Sequence, residues 1–315
     1  MNQQLDISVV VPLYNEEESL PELVAWIDRV AHTNNLSYEI IMVDDGSTDR
    51  SWEVVEELKA KYSTIRGISF MRNYGKSAAL YCGFDMARGE VVFTMDADLQ
   101  DSPDEIPEMR RMILEEGYDI VSGWKRKRHD PISKRWPSKF FNFTARLMSG
   151  IKLHDFNCGL KAYRRKVVKA IEVYGEMHRY IPILAKHAGF KRIGEKAVKH
   201  HERKYGKSKF GLERMLKGYL DLISVSFMSH FGRSPMYLFG GLGTLMFLFG
   251  FGAVVWIIIE KFVASRSLTN QPLFYLSLVA ILLGAMLFLA GFLGELINRR
   301  STDRNKYLID KQIDE

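Results

Sequence analysis

Cysteine is nearly absent from this chain. The two that occur in 315 residues, Cys82 and Cys158, have no metal-ligand spacing. They read as unpaired thiols of a reducing compartment, which excludes a disulfide scaffold and a zinc framework. A Gly-x-Gly-x-x-Gly turn is missing after the first apolar run, where Pro12-Leu13-Tyr14-Asn15-Glu16 stands instead, and this excludes the dinucleotide-binding pattern. The formal charge is +6, yet no nucleic-acid motif accompanies it. No nucleic-acid partner is expected, and anionic lipid explains the basic balance better. Residues 1–6 are mostly polar and the apolar run behind them is too short for a signal sequence, so none is expected.

Charge is missing altogether from two long stretches. From Met236 to Ile259 the only polar side chains are Tyr237, Thr244 and Trp256, and Pro272 to Leu293 holds no charged residue. Each is long enough for a hydrocarbon core that needs about 20 residues, and core helices seldom stay apolar on every face for that length. They read as two transmembrane helices. Arg203, Lys204, Lys207, Lys209, Arg214, Lys217 and Arg233 precede the pair, and Arg299, Arg300, Arg304, Lys306 and Lys311 follow it. The connection from Glu260 to Gln271 has only Lys261 and Arg266. The positive-inside rule then puts both termini and the large domain in the cytoplasm, with the hairpin loop outside.

What is present before residue 120 is an alternation of strands and helices. Apolar runs at about 7–11, 39–43, 66–70 and 91–95 alternate with helical patterns at about 17–32, 49–61, 76–87 and 104–116. This is the pattern of an α/β fold with a mostly parallel sheet. The fourth strand runs straight into Asp96-Ala97-Asp98-Leu99-Gln100-Asp101, and the second into Asp44-Asp45-Gly46-Ser47-Thr48-Asp49. Ligands of open α/β sheets bind beyond the carboxyl ends of the strands, so these acidic ends and Pro12-Leu13-Tyr14-Asn15-Glu16 converge on one crevice. An Asp-x-Asp at such a place suits a divalent cation shared with a diphosphate. Ser47 and Asp49 also suit the start of the next helix, a task that does not require Asp44 or Asp45.

Together, Pro12-x-Tyr14-Asn15-Glu16, Asp44-Asp45-Gly46-Ser47-x-Asp49, Arg72-Asn73-x-Gly75-Lys76 and Asp96-Ala97-Asp98-Leu99-Gln100-Asp101-x-Pro103 resemble family 2 glycosyltransferases of the GT-A fold. Within that family the chain is most similar to the polyprenyl-phosphate glycosyltransferases, over about residues 5 to 300. The resemblance implies inverting transfer of one sugar from a nucleotide-diphosphate sugar, UDP-glucose being favoured over GDP-mannose, to a polyprenyl phosphate such as undecaprenyl phosphate. It implies Mg²⁺ or Mn²⁺ held by Asp98 with Asp96. Pro12, Tyr14, Glu16, Asp44, Asp45, Lys76, Asp96 and Gln100 are expected at the nucleotide sugar. Asp155 and Asp101 are expected beside Asp98 in the catalytic set, as positioning groups first and bases second.

Further along, the run from Gly123 to Asp130 is strongly basic, and Arg128 and Ser138 are selected from this region for the acceptor phosphate. The stretch Asp155-Phe156-Asn157-Cys158-Gly159-Leu160-Lys161 looks like the family's Asp then Gly-aromatic-Arg segment, with Leu160 and Lys161 in place of the aromatic and the Arg. Arg203-Lys204-Tyr205-Gly206-Lys207-Ser208-Lys209 matches an Arg-x-x-Gly-x-Ser-Lys pattern, which adds Arg203, Ser208 and Lys209 to the acceptor-phosphate set. His200 and His201 just before it are read as structural. The only Arg-Trp, Arg135-Trp136, has Ile132 where a processive polysaccharide synthase carries Gln. That rival is weak, and a silent nucleotide-sugar binder is disfavoured because both metal carboxylates are in place.

The expected organisation is a GT-A domain over 1–210, an amphipathic juxtamembrane helix over 211–234, a transmembrane hairpin over 235–298 and a basic tail over 299–315. Gly240 with Thr244 and Ala280 with Gly284 allow close helix packing, within one chain or in a homo-oligomer.

Overall fold

The computed structural model describes residues 5–126, 142–147, 149–175, 177–202, 204–205, 235–264, 271–300 and 309–313. Arg128, Ser138, Arg203, Ser208, Lys209 and the expected juxtamembrane helix lie outside the described residues.

Strand β1 (Ile7–Leu13) is almost wholly buried, as are β2 (Tyr38–Asp44), β3 (Ile65–Phe70) and β4 (Val91–Thr94). Near-continuous apolar runs are what strands covered on both faces require. The strands pair in parallel, β4 to β1 to β2 to β3, with Val10 opposite Thr94 and Leu13 opposite Asp44. Alternate residues point to opposite faces. Val9, Val11, Ile40 and Met42 join a core with Leu23 and Ile27 of α1 (Leu20–Thr33), Trp52 and Val55 of α2 (Ser51–Lys61), and Ile106 and Met109 of α4 (Ile106–Leu114). Val10 meets α3 (Lys76–Met86), where Gly83 has no room for a Cβ: one would lie 2.3 Å from Val10 Cγ1.

Beyond β4 the sheet becomes mixed. Strand β5 (Ile120–Trp124) pairs antiparallel with β6 (Lys161–Arg164), which pairs antiparallel with β4 and leads into α5 (Arg165–Ala170). Helix α6 (Ile181–His187) then precedes β7 (Ile193–Ala197), which is parallel to β5. The order is β7-β5-β6-β4-β1-β2-β3, with one further strand beyond β3.

The last strand, β8 (Ile309–Ile313), lies within the expected basic tail of 299–315. It lies antiparallel on β3, with Ile313 opposite Gly67 and Gln312 opposite Ile68. The chain divides into one unit of Met1–Val225 with Asn305–Glu315 and a second of Ser226–Arg304.

That second unit holds α7 (Pro235–Ala264) and α8 (Pro272–Arg300), each opened by a proline whose missing N–H costs a first turn nothing. In each, only 17% of the most apolar stretch is buried, and both are long and apolar enough to cross a membrane. They meet through glycine within one chain. A Cβ on Gly243 would lie 2.5 Å from the Gly284 carbonyl, and one on Gly250 2.8 Å from the Ser277 carbonyl.

Candidate active site

The carboxyl ends of β1, β2, β3 and β4 build the site, and their loops are stitched to one another. Asn15, with φ +57, accepts from Thr48 N (2.8 Å) through Oδ1, while its own N–H donates to Ser47 Oγ (2.9 Å). Glu16 N donates to Ser51 Oγ (2.8 Å), and Arg50 N to Glu17 Oε2 (2.9 Å). Pro12, Tyr14 and Glu16 stay partly exposed on this rim. Gly46 is pressed on the next loop, where a Cβ would lie 2.5 Å from the Arg72 carbonyl carbon.

Asp44 and Asp45, both expected at the nucleotide, are held by different partners. Asp44, expected at the nucleotide, is 2% exposed; Oδ1 accepts from Ser47 N (3.0 Å) and Oγ (2.5 Å), and Oδ2 from Ser69 Oγ (2.8 Å). Through these bonds it ties the β2 turn to β3. Asp45 accepts from Tyr74 N (2.7 Å) and from Gly75 N, and so anchors the loop that delivers Lys76 to the first position of α3. Burial pushes its carboxyl up to about 6, partly offset by those two N–H donors and reinforced by Asp44.

The acidic loop after β4 turns through Leu99, whose φ of +59 is rare for a bulky side chain. Strain of this kind gathers at functional sites. Asp98 is 7% exposed and accepts from Gln100 N (3.2 Å). Asp96 forms a hydrogen-bonded ion pair with Lys76. Burial alone would raise the Asp96 pKa, but Lys76, with Lys125 and Lys161 near it, outweighs burial and holds the carboxyl well below its usual range.

Asp101 is sealed: its side chain is 0% exposed and Lys125 Nζ lies 3.0 Å from Oδ1. Burial would lower the Lys125 pKa, but Asp101 overrides it and raises it beyond the ordinary lysine value. In this geometry Asp101 is charge-paired with Lys125, in keeping with its expected role as a positioning group first. Lys125 was not singled out from its basic run by sequence; its place directly after a strand was the available signal.

Gly159 completes this wall, since a Cβ there would lie 2.5 Å from Asp96 Oδ2 and 2.8 Å from Asp101 Oδ2. The sequence places Gly159 in a family-like segment but gives it no role of its own. Thr94 Oγ1 donates to its carbonyl (2.8 Å). Next to it, Lys161 is buried, donates to the Cys158 carbonyl and has its pKa drawn down by burial. The Cys158 thiol is pushed up to about 12 by burial and then by Asp101, so it is inert. Asp155, 1% exposed, accepts from Asn157 N (3.0 Å) and shapes the turn into this segment.

Behind β7 the chain crosses back over the acidic loop. Asp101 bridges His200, His201 N donates to the Gln100 carbonyl (2.9 Å), and His200 Nδ1 donates to the same oxygen (3.2 Å). Lys204 then pairs with Glu22 of α1 at 2.6 Å. The two histidines thus bind backbone, and the basic motif begins immediately after this crossing. Among the described residues no group of three or more His, Cys, Asp or Glu side chains is gathered as a metal cage. Asp96 and Asp98, two residues apart in this loop, offer oxygen donors only, which suits a hard cation that takes its remaining ligands from phosphate and water.

Known proteins agree with this architecture. The Glycosyl transferase family 2 model matches residues 8–172. The dodecaprenyl-phosphate galacturonate synthase of Rhizobium johnstonii is 35% identical over 94% of this chain and 89% of its own length. Undecaprenyl-phosphate 4-deoxy-4-formamido-L-arabinose transferases are 35% identical in Pseudomonas aeruginosa (98% of this chain, 90% of the relative) and 38% identical in Shewanella sediminis (96% and 90%). Among solved structures, mannosyl-3-phosphoglycerate synthase of Rubrobacter xylanophilus superposes with a TM-score of 0.57 at 17% identity, over 72% of this chain and 75% of that one. Glucosyl-3-phosphoglycerate synthase of Mycobacterium tuberculosis, in complex with Mn²⁺, UDP-glucose and glycerol 3-phosphate, gives 0.52 at 20% identity, over 71% and 80%. These two likenesses bear on the fold. With the family match spanning the first six strands of the sheet, and relatives aligned almost end to end, this chain belongs to glycosyl transferase family 2.

Proposed function

We propose that this chain transfers a single sugar from a nucleotide-diphosphate sugar to a membrane polyprenyl phosphate, with inversion at the anomeric carbon. The observation that carries the reading is the alignment of polyprenyl-phosphate sugar transferases over 94% or more of the chain, membrane hairpin included. An acceptor phosphate oxygen forms the new bond to the anomeric carbon, the bond to the donor diphosphate breaks, and the nucleoside diphosphate leaves with the electron pair. The acceptor is already anionic at neutral pH, so no strong base is required. This agrees with Asp101 being tied to Lys125.

Pro12, Tyr14 and Glu16 line the rim for base and ribose, Asp45 holds the loop, and Lys76 faces the diphosphate. A divalent cation, Mg²⁺ or Mn²⁺, held by Asp98 and Asp96 would offset charge on the leaving diphosphate. Arg203, Ser208 and Lys209, with Arg128 and Ser138, are the proposed acceptor-phosphate set. Asp155 supports the segment over the site. The catalytic unit and both termini are proposed to be cytoplasmic, at the inner membrane.

A UDP-linked donor is proposed. The named sugars of the relatives are galacturonate and 4-deoxy-4-formamido-L-arabinose, so these stand beside glucose as candidates. The test is purified protein in detergent with undecaprenyl phosphate, Mn²⁺ and UDP-glucose, UDP-galacturonate, UDP-4-deoxy-4-formamido-L-arabinose and GDP-mannose, scored for glycolipid. One donor is expected to give product, and Asp98→Asn to give none. Absence of glycolipid with every donor, or full turnover of the variant, would reject the reading.

A further inference from the structure

Two lysine–carboxylate pairs meet at Gly159, and they differ in how open they are. The Lys125 and Asp101 side chains are 15% and 0% exposed, whereas those of Lys76 and Asp96 are 28% and 34% exposed. Both carboxylates lean on the same backbone, so neither can retreat behind it. The closed pair is framework. The open pair can exchange partners.

The anchoring of Lys76 favours such an exchange. Its backbone follows Tyr74 and Gly75, whose N–H groups are fixed on Asp45, while its ammonium sits at the end of a flexible four-carbon stem. Asp96 is at once the partner of this ammonium and one of the two carboxylates assigned to the divalent ion. A metal ion arriving alone must break the ion pair and then sit beside a displaced like charge. A diphosphate arriving with it offers the ammonium a new anionic partner.

We propose that Lys76 is an exchangeable counter-ion that competes with the divalent ion for Asp96, and that the donor diphosphate relieves this competition by drawing Lys76 onto itself. The inference rests on the metal and donor reading above and adds to it a coupling between the two bindings. Linkage makes the coupling reciprocal: whatever the nucleotide adds to metal affinity, the metal adds to nucleotide affinity. Lys76 thereby disfavours metal loading in the absence of nucleotide.

The test is titration of the full-length protein in detergent with Mn²⁺, reading free ion by electron paramagnetic resonance, with and without UDP. Wild type, Lys76→Gln and Lys76→Arg are compared, with thermal unfolding confirming that each is folded. Without UDP, Lys76→Gln is expected to bind Mn²⁺ roughly threefold to tenfold more tightly than wild type. UDP is expected to strengthen Mn²⁺ binding less in Lys76→Gln than in wild type, and Lys76→Arg to stay close to wild type. Unchanged or weaker Mn²⁺ binding by Lys76→Gln alone would overturn the competition while leaving the metal assignment intact. A wild type that binds no Mn²⁺ even with UDP would overturn the metal assignment itself, and the competition with it.

Discussion

Asp45 holds the backbone N–H of Gly75 with both carboxylate oxygens, at 3.1 and 3.0 Å. This couples the end of β2 to the loop before α3, and the coupling is pH-dependent. Burial, ahead of the opposing N–H donors, raises the Asp45 pKa from 3.8 to about 6. Between these values the native carboxyl keeps its proton while the unfolded one has lost it. Its contribution to stability is therefore full below about pH 4 and is lost as the pH rises through about 6, by up to about 3 kcal/mol. Asp45→Asn removes this titration. Denaturant unfolding of both proteins from pH 4 to 7 is expected to show the stability difference moving steadily in favour of the Asn variant. A difference independent of pH would contradict the raised pKa.

Gly159 yields a second expectation. In Gly159→Ala the new methyl would contact Asp96 Oδ2 at 2.5 Å and Asp101 Oδ2 at 2.8 Å unless both carboxylates shift. Asp101 is held by Lys125, so most of the displacement falls on Asp96. A shift of about 1 Å in a catalytic constellation can cost on the order of a hundredfold in rate. Turnover is expected to fall by roughly one to two powers of ten with a thermal midpoint near that of wild type. Near-normal turnover would mean that Asp96 needs no fixed position.

The strand ends were legible because each carries its signal locally: a buried apolar run that stops at a carboxylate. Gly159 and Lys125 were not, because their partners lie far along the chain and only the antiparallel placement of β6 beside β4 and β5 brings them together. For Asp44 the pattern identified an acidic strand end but not that Ser47 and Ser69 consume both oxygens. Strand β8 was hidden for another reason. Ile309-Asp310-Lys311-Gln312-Ile313 has the charged character of an edge strand, which in sequence reads as a solvated tail.

At the opposite ends of the strands lies an ion pair that serves stability. Glu39 Oε2 is 2.9 Å from Arg66 Nη1, with side chains 4% and 7% exposed, and Glu39 Oε1 accepts from Ser8 Oγ (2.5 Å) and Arg88 N (2.7 Å). Removing one member of a buried pair costs about 3–5 kcal/mol, because the other charge is left uncompensated. Glu39→Ala is expected to lose that much, and Glu39→Gln less, while each folded molecule keeps its turnover. Unfolding and activity measured below both midpoints check this. An unchanged midpoint in Glu39→Ala would refute the stabilising role.

The return of the chain into the sheet bears on membrane orientation. The polypeptide leaves the catalytic unit, forms α7 and α8, and rejoins β3 as β8, with Lys311 opposite Ser69. If α7 and α8 both cross the membrane, a chain that leaves and rejoins one folded sheet has both ends of the pair on the same side. By the positive-inside rule that side is expected to be the cytoplasm, since basic residues flank the pair while the stretch from Glu260 to Gln271 offers only Lys261 and Arg266. Single cysteines placed at Ser267 and at Ser301 distinguish the alternatives in intact cells treated with a membrane-impermeant thiol reagent. The native thiols give little background, because Cys158 is buried, Cys82 is half-buried, and both belong to the catalytic unit. Labelling at 267 alone is expected. Labelling at 301 alone would invert the orientation, and labelling at both positions would be incompatible with a hairpin whose two ends rejoin one sheet.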